Sequence, residues 1–301
     1  MSSLFLSGVN VQRCLISLSL LFGLSLPLPA QSAMLADDIR NQYLPDEYQT
    51  ILVGDEDMPV FSAEPTTALS RGVALIFTDA GYQGLTLKNA LILAAELNQK
   101  GWHTRVVPPA IDSSPVPAAP ANSTTANESE ETIDQQQTEN LLHPRAWALS
   151  TFADPLANQA TMALLAGSLL RDVETLPGFR LLISQGMSAA QLVSLTASET
   201  IDLPDGLVVI SPYWPQAGNN DAIASQLADT PFPVLDLQLP QRTQWTNNSS
   251  SERKQAATKA LKLHYRSRQL SNSMMLSSAG DNGFSSNVGR EIVGWTNFLG
   301  W

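Results

Sequence analysis

Short apolar runs alternate with stretches whose apolar residues recur at helical spacing along most of this chain. The run Gly72–Thr78 carries no charged residue, which favours a strand buried on both faces. Apolar positions three and four residues apart follow it in Thr86–Lys100, and Gly101 marks the end of that predicted helix. The repeated alternation predicts an α/β fold, with a mostly parallel sheet covered by helices on both faces.

The same pattern predicts the remaining elements. Further strands are expected at His103–Val107, Phe179–Ser184, Asp205–Ser211, Phe232–Leu237 and Gln269–Ser277. Further helices are expected at Pro155–Val173, Ser188–Ser198, Asn219–Leu227, Ser251–Arg266 and Val288–Leu299. Two runs near the start, Gln49–Val53 and Met58–Ser62, are separated by turn residues and predict antiparallel strands at the N-terminal edge of the sheet.

The first 33 residues do not fit this pattern. Arg13 precedes an apolar run over residues 14–28, and small residues follow at Ala30 and Ala33. This layout is typical of a secretory signal peptide, because the run is shorter than the roughly 20 residues that span a bilayer. We expect removal of residues 1–33, export to the periplasm and no membrane span afterwards. An uncleaved membrane anchor is the alternative.

A second exception is the segment of about residues 109–139. It contains Pro, Ala, Ser, Thr, Asn, Glu and Gln and almost no large apolar residue. Such a composition buries too little surface to order itself, so we predict a disordered insertion within one domain, residues 34–301. An ordered lid over a ligand is the alternative.

Composition excludes several classes of function. The net charge is −11, which repels phosphate backbones, so we expect no nucleic-acid partner. The single cysteine, Cys14, lies in the predicted leader and leaves no thiolate ligand or nucleophile afterwards. The three histidines lack zinc-like spacing, and no phosphate- or dinucleotide-binding motif is present. We therefore predict no metal and no cofactor, and a partner that is an unidentified small molecule or protein.

Two segments carry a family resemblance. Residues 179–190, FRLLISQGMSAA, resemble the strand, turn and helix of an α/β-hydrolase nucleophile elbow, and residues 290–295, REIVGW, resemble the terminal helix of the DUF3530 branch of that superfamily. Weaker similarity extends over most of the chain beyond the leader, except the insertion. The resemblance implies an α/β-hydrolase fold and an exported protein, and it supplies no activity.

The elbow pattern G-x-S-x-G falls on residues 184–188, which read SQGMS. Small residues remain at both flanks, but Gly186 occupies the nucleophile position and has no side chain. Glycine tolerates the positive φ of this turn, so the backbone shape can persist without the chemistry. Ser184 and Ser188 are the candidates for a displaced nucleophile.

The other two members of a hydrolase triad are also unmatched. The loop at 237–243 has no carboxylate, and Asp281 or Asn282 stands where the family would place the basic histidine. His264, on the predicted helix Ser251–Arg266, is the remaining candidate base. We interpret the chain as a catalytically degenerate hydrolase-fold protein that acts by binding. The alternative is a serine esterase-type hydrolase with a relocated nucleophile.

Three residues are candidates for binding. Asp79 follows the strand Gly72–Thr78, where its charge would oppose a developing oxyanion. Tyr213 and Trp214 follow the strand Asp205–Ser211. Because sheets of this type bind ligands at the carboxyl ends of their strands, we expect these side chains to line a pocket there.

Overall fold

A computed structural model describes residues 39–79, 84–109, 155–240, 244–270 and 283–301. In these ranges eight strands form one sheet, in the order β1-β2-β4-β3-β5-β6-β7-β8. The strands are β1 Gln49–Val53, β2 Glu56–Ala63, β3 Gly72–Phe77, β4 Trp102–Val107, β5 Phe179–Gln185, β6 Gly206–Ile210, β7 Val234–Gln238 and β8 Tyr265–Gln269. Strands β1, β2 and β4 pair antiparallel, and the pairs from β4 to β8 are parallel. The predicted sheet is therefore confirmed.

Residues 39–42 are helical, and six longer helices accompany the sheet in the described ranges. They are α1 Leu87–Asn98, α2 Pro155–Asp172, α3 Gly186–Ala197, α4 Ala217–Asp229, α5 Gln244–Lys259 and α6 Gly283–Leu299. Side chains of α2, α3 and α4 pack in a core on one face, and side chains of α1 and α6 pack in a second core on the other.

Successive side chains of the buried strands lie alternately in the two cores. In β3, Leu75 and Phe77 lie in the first core, whereas Ala74 and Ile76 lie in the second. Strand side chains point alternately to opposite faces, so a strand covered by helices on both sides must be apolar throughout. This requirement explains the continuous apolar runs from which the sheet was predicted.

One predicted element was wrong near the C-terminal end. The helix predicted at Ser251–Arg266 begins at Gln244 and ends at Lys259, and its last predicted residues belong to a strand, Tyr265–Gln269, that was not predicted. The helix stops without glycine. Leu261 adopts φ 50°, and the Lys262 backbone N–H donates to the Ala257 carbonyl at 3.0 Å, which is the capping pattern usually made by glycine.

Several expectations lie outside the described residues. These are the leader 1–33, the insertion at about 109–139, most of the predicted strand Gln269–Ser277, and the loop holding Asp281 and Asn282. They stay predictions. No helix in the described ranges is both long enough and apolar enough to cross a membrane.

Candidate functional site

The carboxyl ends of three neighbouring strands define the candidate site. The chain leaves β3 and returns as β4 on one side, whereas β5 and β6 extend the sheet on the other side. The order therefore reverses between β3 and β5, and such a switch point opens a crevice at the carboxyl ends of parallel strands. Asp79 follows β3, Gly186 follows β5 and Tyr213 follows β6, so all three residues lie at this edge.

A sharp turn joins β5 to α3. Gln185 is the last strand residue, Gly186 is the first helical residue, and Gly186 has φ 63°. This left-handed conformation costs a residue with a side chain roughly 1–2 kcal/mol and costs glycine little. The strand-to-helix turn expected from SQGMS is present, and it contains no side chain at its apex.

The Asp79 carboxylate covers that apex. A Cβ atom built on Gly186 would lie 3.0 Å from Asp79 Oδ2 and 3.3 Å from Asp79 Cγ. The carboxylate thus lies directly against the position from which a nucleophile's side chain would extend. It also lies at the amino end of α3, where the helix dipole favours negative charge and where Gln185, the N-cap residue, provides no capping side chain.

The Asp79 loop is anchored to the elbow by Gln185. The Asp79 backbone N–H donates to the Leu85 carbonyl at 3.0 Å, and the Leu85 N–H donates to Gln185 Oε1 at 2.9 Å. Gln185 is buried, so this bond is shielded from solvent. The sequence analysis missed this role of Gln185, because the pattern G-x-S-x-G leaves that position unspecified.

Both candidate serines are bonded to the backbone inside the protein. Ser184 and Ser188 are both completely buried. The Ser184 hydroxyl donates to the Phe77 carbonyl and the Ser188 hydroxyl donates to the Thr78 carbonyl, each at 3.4 Å. Both hydroxyls thus link the β5–α3 turn to the end of β3, and their bonds are to backbone rather than to a base.

Tyr213 completes the site beside Gly186. Its backbone N–H donates to the Gly186 carbonyl at 3.3 Å. Burial, as the larger cause, and the negative charge of Asp79 together raise the pKa of the Tyr213 hydroxyl from 10.0 to about 12. Asp79, Gly186 and Tyr213 therefore form one cluster, and the adjoining Trp214 is 3% exposed.

The structure separates His264 from this cluster. His264 is exposed and directly precedes β8, so it lies at the amino end of a strand, three strands away from β5. With about 4.8 Å between strands and 3.3 Å per residue, it lies about 20 Å from Gly186. His103 is also at the amino end of its strand, with Nδ1 2.5 Å from Glu64 Oε2, and His143 lies outside the described residues.

Asp236, the carboxylate nearest the expected acid position, belongs to a buried ion pair. Arg253 Nε donates to Asp236 Oδ2 at 2.8 Å and Arg253 Nη2 donates to Oδ1 at 3.0 Å, with both side chains almost fully buried. The Tyr265 hydroxyl donates to the same carboxylate at 2.8 Å. Asp236 therefore holds α5 and β8 on the sheet. In the described ranges no group of three or more His, Cys, Asp or Glu side chains is spaced to hold a metal ion.

The fold defines the class of protein. Carboxylesterase Cest-2923 from Lactobacillus plantarum WCFS1 superposes on this chain with a TM-score of 0.50 at 10% identity, covering 84% of this chain and 97% of its own. A dienelactone hydrolase from Anabaena variabilis gives a TM-score of 0.49 at 15% identity, covering 83% and 97%. This chain has an α/β-hydrolase fold.

The family follows from the sequence. Residues 20–297 match the family described as a protein of unknown function, DUF3530, and the chain belongs to that family. The resemblance noted at the elbow and the terminal helix is therefore confirmed. Comparison with curated proteins gives no match.

Proposed function

We propose that this protein is an exported member of the α/β-hydrolase fold that binds a ligand or a partner and does not catalyse serine-dependent acyl transfer. The observation that carries the proposal is the Asp79 carboxylate 3.0 Å from the position of a Cβ on Gly186. The elbow lacks a nucleophile, and the space of that nucleophile is filled by a side chain of the protein itself.

Electrostatics support the same proposal. Acyl transfer places a developing oxyanion beside the first turn of the elbow helix, where backbone N–H groups stabilise it. Here a carboxylate stands at the amino end of α3. Its negative charge would raise the energy of a second anion at that place.

The alternative is a serine esterase-type hydrolase with a relocated nucleophile. It requires Ser184 or Ser188 to become accessible and to meet a base within about 3 Å. Both serines are completely buried, and His264 lies at the opposite edge of the sheet. These observations favour the binding function.

Hydrolysis of p-nitrophenyl acetate and butyrate by the purified protein tests the proposal. We expect the buffer rate with the wild type, Ser188→Ala and Asp79→Asn alike. Ser225→Ala is the matched control, because Ser225 is exposed on α4 and its hydroxyl also donates only to a backbone carbonyl. Turnover that is lost in Ser188→Ala or Asp79→Asn and retained in Ser225→Ala would contradict the proposal.

Export is the second part of the proposal, supported by Arg13, the apolar run at 14–28 and the small residues after it. Intact-mass analysis of the protein from a periplasmic fraction should find an N-terminus after Ala30 or Ala33. Recovery of the uncleaved chain in the cytoplasm would contradict this part and leave the binding function untouched.

A further inference from the structure

A pocket of about 140 Å³ lies beside the elbow, between α2, α3 and α4. Ala190 and Gln191 line it from the second turn of α3, Ile223 lines it from α4, and Trp214 from the loop after β6. The pocket therefore begins about one helical turn beyond Gly186. It is separate from the Asp79 cluster, although Tyr213 of that cluster adjoins Trp214 in the chain.

Every hydrogen-bonding side chain in the lining is neutral. The lining contains Gln159, Gln191, Ser194, Trp214, Asn219 and Gln226, with Ala190, Ala222 and Ile223 as its apolar part. A charged ligand would lose hydration free energy on entering the pocket and would meet no side chain of opposite charge, so its binding would be costly. A neutral ligand with hydroxyl or amide groups would lose less hydration free energy, and it could form hydrogen bonds with the amide side chains, which both donate and accept.

Two of these polar side chains, Trp214 and Gln191, are buried, with exposed fractions of 3% and 5%. The Trp214 Nε1 atom is enclosed by the protein, so Trp214 lines the pocket with other atoms of its side chain. The Gln191 amide can donate and accept hydrogen bonds, so it is the buried group that can bond with a molecule in the pocket.

The surroundings hold Trp214 in a fixed position. Asn220 Oδ1 accepts the Trp214 backbone N–H at 2.9 Å, and Asn220 Nδ2 donates to the Trp245 carbonyl at 3.3 Å. At the rim, Gln159 Nε2 donates to Ser194 Oγ at 3.2 Å, which leaves Gln159 Oε1 as an acceptor. Groups that are already ordered lose little entropy when a ligand binds.

We propose that this pocket binds a neutral polyhydroxylated ring of about the size of a monosaccharide. The volume is close to the roughly 150 Å³ of an enclosed cavity that holds benzene, and because this pocket is open to solvent on one side, the hydroxyl groups of a larger ring can extend out of it. An indole and an isoleucine provide apolar contact for the ring, while the amides of Gln191 and Gln159 bond to its oxygens. The proposal goes beyond the binding function above, because it assigns a second site and the chemical class of its ligand.

The test is the tryptophan indole N–H spectrum of the ¹⁵N-labelled protein, titrated with D-glucose, D-galactose and N-acetyl-D-glucosamine. The Trp214 peak is assigned by its loss in Trp214→Phe. At least one sugar should shift that peak with a Kd of about 1 mM or tighter. Gln191→Leu should weaken the binding about tenfold or more. The matched control is Gln255→Leu, an exposed glutamine on α5 outside the pocket.

Four results would overturn the proposal. They are no shift with any sugar, equal binding by Gln191→Leu and Gln255→Leu, tighter binding of D-glucuronate than of D-glucose, and a shift with N-acetylglycinamide in the absence of any sugar response. The last result would assign the pocket to an amide-bearing ligand instead. None of these outcomes depends on whether the elbow hydrolyses esters, so failure here and failure of the proposed function are distinguishable.

Discussion

At the scale of single residues, Gly186 and Asp79 act as a pair. Gly186 has the left-handed backbone that a nucleophile elbow requires, and the Asp79 carboxylate fills the space in front of it. Loss of a nucleophile alone would leave an empty oxyanion site at the amino end of α3. The carboxylate turns that site into an internal contact between the end of β3 and the start of α3.

Serine at position 186 should therefore destabilise the protein. Gly186→Ser adds backbone strain and brings Cβ to 3.0 Å from Asp79 Oδ2. The free energy of unfolding, measured with urea, should fall by about 1–3 kcal/mol. Gly294→Ser is the matched control, because Gly294 lies in α6 with nothing within 4 Å of an added Cβ and should gain a few tenths of a kcal/mol.

Asp79→Ala in the Gly186→Ser background should recover part of that loss, because it removes the contacting carboxylate. Additive effects of the two substitutions would show that the residues do not meet, and would contradict the arrangement described for the site.

The titration of Tyr213 tests the same contact from a third residue. In Asp79→Asn the pKa of Tyr213 should fall from about 12 and stay above 10.0, because burial is the larger cause of the shift. Ultraviolet difference absorbance after stopped-flow pH jumps measures it, with Tyr213→Phe for assignment and the exposed Asp202→Asn as control. An unchanged Tyr213 pKa in Asp79→Asn would place the two residues apart.

The raised pKa of Tyr213 determines the direction in which the stability of the protein changes with pH. Between pH 10 and pH 12 the unfolded chain releases the Tyr213 proton while the folded protein retains it, so this residue destabilises the fold as the pH rises through that range. Below pH 10 both states are protonated and Tyr213 adds no pH dependence. Tyr213→Phe should accordingly lose less stability than the wild type above pH 10.

Prediction from sequence worked at some of these residues and not at others. The missing side chain at Gly186 is visible in SQGMS, because the flanking small residues fix the alignment. The proximity of Asp79 and Gly186 joins positions more than 100 residues apart, and only the sheet order brings them together. The distance between His264 and Gly186 could likewise be recognised only once the order of the strands was known.

At the scale of elements, the C-terminal part shows where pattern reading fails. Strand β8 reads YRSRQ, is half exposed and lies at the edge of the sheet, so it carries no apolar run. Helix α5 starts within the stretch QWTNNSS and ends at Lys259, and the left-handed residue that follows it is a leucine, Leu261. The usual signals at both ends of the helix are missing, and both boundaries were predicted about seven residues too late.

The pair between Arg253 of α5 and Asp236 of β7 should carry much of the stability of this part. Arg253→Met leaves a buried carboxylate without its cation, and removal of one partner from a buried pair costs about 3–5 kcal/mol. Arg268→Met is the matched control, since the Arg268–Glu291 pair is exposed, spans 3.7 Å and should contribute under about 1 kcal/mol.

Urea unfolding of the two variants measures the difference. Ser249→Ala, which removes the 2.7 Å bond from Arg253 Nη1, is the milder variant if Arg253→Met does not fold, and it should cost about 1–3 kcal/mol. If Arg253→Met and Ser249→Ala lower the free energy of unfolding no more than Arg268→Met does, the Arg253–Asp236 pair does not hold α5 and β8 in place.

At the scale of the whole molecule, a mostly parallel sheet with helices on both faces was predictable, whereas the order of its strands and the function of the site were not. Apolar runs such as GVALIF specify a sheet covered on both faces, because no other arrangement buries every side chain. The lining of the pocket beside α3 could not be predicted, because the sequence around Gln191 is that of an ordinary polar helix position. Only the packing of α2 and α4 beside α3 places Gln191 in a pocket.

The central claim is that this fold presents no activated serine nucleophile, because the Asp79 carboxylate occupies its place. Incubation of the folded protein with a fluorophosphonate probe, followed by intact-mass spectrometry, tests that claim most directly. We predict that the mass stays unchanged for the wild type under conditions that fully label an active serine esterase. Stoichiometric addition of one probe, abolished by Ser188→Ala or Ser184→Ala, would contradict the account.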